Sequence, residues 1–170
     1  MRIWCLIIPL ALASFLAAPG IGRAGDRQDD IKAAFIFNFA RFTTWPNDSF
    51  GEHPNEIRVC FHEGHHLTDS LTTIDGKQVG ERVIRLVRQP AGASLQQGCN
   101  IAVLSHSQPA TPARGVLTVS DSTGFIENGG SIGLLQVGRQ VRFQINQQSI
   151  RQAELQMSSK LMRLATRVLK

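Results

Sequence analysis

The chain has 170 residues, 42% of them hydrophobic, with 18 Lys+Arg against 13 Asp+Glu and a net charge of +5. That hydrophobic content supports a packed core and argues against an intrinsically disordered chain. The basic residues are spread out with no block of five or six, so nothing marks a nucleic-acid patch.

The first segment predicts a removable secretory leader over residues 1–24. Arg2 gives a positive start, Ile3 to Ala18 is apolar apart from Pro9 and Ser14, and Gly22 and Ala24 supply small residues at −3 and −1 of a cut after Ala24. The apolar run falls short of the ~20 residues that span a bilayer; an uncleaved anchor is the competing reading. One domain then occupies residues 25–170. Losing Arg2 and Arg23 leaves sixteen basic residues against thirteen acids, a mature charge of +3. Cys5 departs with the leader, so Cys60 and Cys99 remain. An exported protein can bridge them, closing a loop of about forty residues worth roughly 4 kcal/mol in the chain-entropy model. The alternative is two separate buried thiols.

Asp29-Asp30 opens a predicted helix with Ile31, Ala34, Phe35, Asn38, Phe39 and Phe42 on one face. Ile36 and Phe37 point elsewhere, which makes them candidates for a partner interface. Trp45-Pro46 ends this helix. Strands are expected at 57–61 and 81–87, a short helix at 65–74, one helical turn at 93–97, and buried strands at 101–104 and 115–119. Two further strands, 132–136 and 141–145, are joined as a hairpin at Val137-Gly138-Arg139. Last comes the clearest periodicity. Ile150, Ala153, Met157, Leu161, Leu164, Ala165 and Val168 fall in a sector of about 120°, predicting a long C-terminal helix. Leu155, Met162 and Leu169 make a second stripe, either wedged into the core or forming a face for a partner or a homodimer. The fold class is α/β, a single-domain sandwich with a mixed sheet flanked by helices.

His62-Glu63-Gly64-His65-His66 satisfies the H-E-x-x-H pattern of zinc peptidases. That chemistry needs both outer histidines one helical turn apart, whereas His62 follows directly on a strand and Gly64 disfavours a helix. A polar loop is the preferred reading; metal binding by His62, His65 and His66, with His53, is the alternative. Gly129, Gly130 and Gly133 precede or enter a strand rather than following one, so they read as a turn and not a phosphate cradle. Ser105 and His106 are sequence neighbours, which on a strand face opposite ways. No catalytic constellation stands out, so no enzyme activity and no cofactor are expected.

Two stretches carry a resemblance. Lys32-Ala33-Ala34-Phe35-Ile36-Phe37-Asn38-Phe39-Ala40-Arg41-Phe42 with Trp45-Pro46 is similar to the opening of YfiR-family proteins. Val116 to Asp121, Phe125, Gly129-Gly130, Ile132, Phe143 to Asn146 and Leu155 to Ala165 resemble its later part. Cys60 and Cys99 sit where the family often places a bridged pair, and the absence of any cysteine after Cys99 departs from members that carry a second pair. The resemblance implies a periplasmic repressor that binds the periplasmic domain of a YfiN-type membrane diguanylate cyclase and lowers cyclic di-GMP synthesis. An outer-membrane lipoprotein of the YfiB type is the implied antagonist. A periplasmic small-molecule or metal sensor is the other class left open.

Overall fold

The computed structural model describes residues 24–105, 108 and 110–170. The expected leader therefore lies almost wholly outside the described residues, as does the His106 half of the Ser105-His106 pair. A helix, α1 (Ala24–Phe42), leads into a two-residue strand, β1 (Thr43–Thr44), and a 3-10 turn at Asn47–Phe50. Then follow β2 (Glu56–His62), α2 (Thr68–Thr72), β3 (Gln78–Val79), β4 (Arg82–Gln89), β5 (Ile101–Val103), β6 (Leu117–Ser120), β7 (Ile132–Val137) and β8 (Gln140–Asn146). The chain ends with α3 (Gln147–Gln152), β9 (Gln156–Met157), α4 (Ser159–Leu164) and β10 (Arg167–Leu169).

Eight strands form one mixed sheet in the order β10-β8-β7-β6-β5-β2-β4-β3. Its middle, β4-β2-β5-β6-β7, is parallel, while β3 on β4 and β8 on β7 are antiparallel. Strands β5 and β6 are buried along their whole length, as a central parallel strand covered on both faces must be. The β7–β8 hairpin turns at Gly138-Arg139, where Gly138 takes φ 60°, a region that suits glycine. The remaining strands, β1 and β9, pair separately as Thr43↔Met157 and Thr44↔Gln156.

Alternation along the strands divides the core in two. Val59, Phe61, Ile101, Val103, Leu117 and Val119 face the layer that holds α1, α2 and α4. Cys60 and Ala102 face the other side, where they pack with Leu95, Cys99, Leu104, Ala110, Val116 and Phe125. That second face is covered by irregular segments, and Cys60–Cys99 ties one of them to the sheet, with Cα atoms 5.8 Å apart.

Three expectations are corrected. The long C-terminal helix does not form, and α1 is the only described helix of seven residues or more. Its span is cut at Glu154, whose φ of 56° ends α3, and at Ser158, whose hydroxyl accepts from Lys160 N–H and starts α4 afresh. The pieces between and after these caps are taken up by pairing: β9 with β1, and β10 in parallel with β8. No glycine or proline interrupts the periodicity there, so tertiary pairing overrides a locally helical pattern. Residues 93–97 form no helical turn either. The third correction concerns α1, which buries Ala33, Ile36, Phe39 and Ala40 and leaves Ile31 and Ala34 exposed. The buried stripe is rotated by about 140° from the one the periodicity suggested, at 100° per residue. Both stripes are apolar, and the small Ala33 and Ala40 let the helix backbone come close to what it packs on.

Candidate functional site

The chain steps outward from β2 to β4 and then crosses to β5 on the other side of β2. In a parallel sheet, such a reversal leaves a crevice at the carboxyl ends of the strands, the usual place for a ligand or regulatory contact. Here that edge is formed by His62 at the end of β2, Leu104 after β5, and Asp121 after β6. Helix α1 brings Lys32 to it. Lys32 Nζ donates to Asp121 Oδ2 at 2.8 Å and to Asp29 Oδ1 at 3.0 Å, with both Lys32 and Asp121 largely buried. His66 Nε2 is 2.9 Å from the same Oδ2, and Ser70 Oγ donates to Asp30 Oδ1 at 2.7 Å.

The charges in this cluster set each other. Burial alone would lift the Asp121 carboxyl, but hydrogen bonds and charge from Lys32 and His66 more than reverse that, so it ionises below its ordinary range. Burial likewise opposes the Lys32 ammonium, and its two carboxylate partners overcome this and raise it. His65 goes the other way. Burial first, and the neighbouring His66 second, hold its ring below the ordinary histidine value. Its Nδ1 accepts Leu67 N–H at 3.1 Å, so the neutral ring carries its proton on Nε2. Its plane stacks on His66 with centroids 4.6 Å apart.

His62, His65 and His66 therefore lie near one another but do not converge, and His53 lies apart from them, beside Arg58 and Asn100. His62 Nε2 donates to Ala93 O at 2.8 Å, leaving Nδ1 to accept from Gln108 Nε2 at 2.8 Å. His65 serves Leu67, and His66 serves Asp121. Glu63-Gly64 is a turn with Gly64 at φ 76°, so His62 and His66 are not one helical turn apart and the peptidase geometry is not formed. Among the described residues no three His, Cys, Asp or Glu side chains gather so as to hold a metal ion.

The apolar candidates divide in the same way. Ile36 is fully buried and Leu155 is 4% exposed, so neither reaches a partner from the folded domain. Without a continuous C-terminal helix, Leu155, Met162 and Leu169 sit on three different segments and make no stripe. Phe37, Met162 and Leu169 are half-buried, and Arg41 and Lys77 lie over the Phe37 ring at 5.8 and 5.5 Å. Among the described residues, the large apolar side chains that are exposed are Ile31 on α1, Val137 in the hairpin and Leu164 at the end of α4, the last at 69%.

A family model described as YfiR/HmsC-like matches residues 29–166, most of the chain. The chain belongs to the YfiR/HmsC-like family. No curated protein matches it. In this YfiR/HmsC-like domain the residues that carried the resemblance meet in space. Lys32 from the opening stretch pairs with Asp121 from the later one, 89 positions away. Phe35 and Phe39 pack tilted and edge-on against Phe143, at 5.4 and 5.2 Å. Gly130 is needed because a Cβ there would collide with the Phe125 ring. Asp121, whose part in the cluster depends on contacts far away in sequence, gave no local signal of that part.

Proposed function

We propose that this YfiR/HmsC-like protein is a periplasmic regulator, processed after Ala24, that binds the periplasmic domain of a YfiN-type membrane diguanylate cyclase and restrains it. The observation that carries this is the family match over residues 29–166. Two features support it: a Cys60–Cys99 bridge, suited to an oxidising compartment, and, among the described residues, no helix long and apolar enough to cross a membrane. The regulator needs no chemistry of its own. By preferring the cyclase's inactive conformation it shifts that population by as much as its differential affinity allows. A YfiB-type lipoprotein that competes for the same surface then relieves the restraint.

The surface best suited to this contact is the outward stripe of α1, carrying Ile31, Ala34 and the half-buried Phe42, together with Leu164 on α4, which packs against α1. Phe37, Met162 and Leu169 border the same layer. Leu164→Asp tests it. At an exposed site the substitution leaves folding within about 0.5 kcal/mol of the parent, and it should abolish capture of the cyclase's periplasmic domain. Undiminished capture by this variant and by Ile31→Asp would remove the surface from the account.

A further inference from the structure

A second recess opens at the amino-terminal edge of the parallel sheet, across the molecule from His62, His65 and His66, and His53 is among its lining residues. It is a cleft of about 470 Å³ walled by the 3-10 turn, the start of β2 and the residues just before β5 and β6. That volume suits a small molecule. Phe50, Cys99 and Val116 give it an apolar side.

Its polar groups are unevenly satisfied. Arg114 is committed, donating from Nη1 to Asp48 Oδ2 at 2.6 Å and from Nε to Glu154 Oε1 at 3.0 Å. Arg58 is not: among the described residues it has no ion-pair partner, and its Nε is buried without a hydrogen-bond acceptor. Ser49 Oγ, in the same cleft, is also buried and unpartnered. A buried donor left unmet is unfavourable, more so when it is charged.

The backbones that carry these two unmet groups are held in a fixed relation. Asn100, 2% exposed, accepts Arg58 N–H on Oδ1 at 2.9 Å and donates from Nδ2 to Ser49 O at 3.0 Å. Trp45 Nε1 in turn donates to Asn100 O at 3.2 Å. Gly115 makes room for the hydroxyl, since a Cβ there would collide with Ser49 Oγ. The guanidinium edge of Arg58 matches a two-oxygen acceptor, and the serine hydroxyl can add a third donor.

We infer that this cleft binds a small molecule through a single carboxylate or phosphate group, anchored by Arg58 and Ser49. Asp48 and Glu52 also line the cleft and disfavour a polyanion. The inference is independent of the cyclase contact, which lies on another layer of the fold.

The test uses three probes with one apolar body: benzoate, phenyl phosphate and neutral benzamide. They are titrated into the disulfide-bonded mature chain while the Arg58 Nε–H signal and the Ser49 and Gly98 amides are followed by ¹⁵N NMR. The expected result is a saturable shift with at least one anion and none with benzamide. It should weaken at least tenfold in Arg58→Gln, and Ser49→Ala is read by the same criterion should the arginine variant misfold. A response to benzoate alone marks a carboxylate ligand, and one to phenyl phosphate alone marks a phosphate. No saturable shift from either anion, an equal response to benzamide, or unchanged affinity in the folded variants would overturn the inference.

Discussion

Replacing Cys60 and Cys99 together by alanine removes the one covalent tie on the sheet face that helices leave uncovered. The bridge spans 39 positions, for which loop-closure entropy gives about 4 kcal/mol at 25 °C. Domains of this kind have about 5–15 kcal/mol in all, so the loss is a large share. With a urea m-value of about 2 kcal/mol/M, the unfolding midpoint should fall by about 2 M. The m-value itself should rise, because the unfolded chain without the bridge exposes more surface. The effect should also be local. Amides between Leu95 and Leu104, packed around Cys99 in the second cluster, should lose more exchange protection than those of the β7–β8 hairpin. The reasoning fails if the double variant unfolds within about 1 kcal/mol of the parent, or if both thiols of the folded exported protein can be alkylated.

Two further outcomes follow from the carboxyl-edge cluster. His65 titrates below its unfolded value of 6.5 in the folded chain, so its contribution is complete above pH 6.5 and is lost as pH falls through the lowered folded value. Denaturant melts across that range should show an acid slope that His65→Asn flattens, and an unchanged slope would contradict the burial argument. Lys32→Met leaves the Asp121 carboxylate largely buried without its ammonium partner and should cost about 3 kcal/mol at pH 7, the low end for a broken buried pair. The penalty should shrink as acid protonates Asp121, and a pH-independent penalty would point to lost packing instead.

Much of the sheet was legible because strand signals here are local. Ile101 to Leu104 and Gly115 to Val119 are short apolar runs between turns, and Gly138 marks its hairpin. The orientation of α1 was not legible, since Ile31/Phe35/Phe42 and Ala33/Ile36/Ala40 are both apolar stripes and periodicity does not choose between them. The last segment misled for a related reason. Its helical spacing runs straight across Glu154 and Ser158, and only pairing with β1 and β8, distant in sequence, breaks it. At the site, the histidine run gave the neighbourhood but not the partners. Asp121 and Gln108 reach those rings from other segments, and Asn100 joins the backbones of Arg58 and Ser49 from a third place in the chain. No spacing rule encodes such contacts.

The central claim, restraint of a membrane diguanylate cyclase, is tested most directly by intracellular cyclic di-GMP after deletion of the gene in a cell that carries the cognate cyclase. The account predicts a several-fold rise that is reversed by the parent chain and not by Leu164→Asp. An unchanged level, together with no cyclase recovered on the protein from the native envelope, would contradict it.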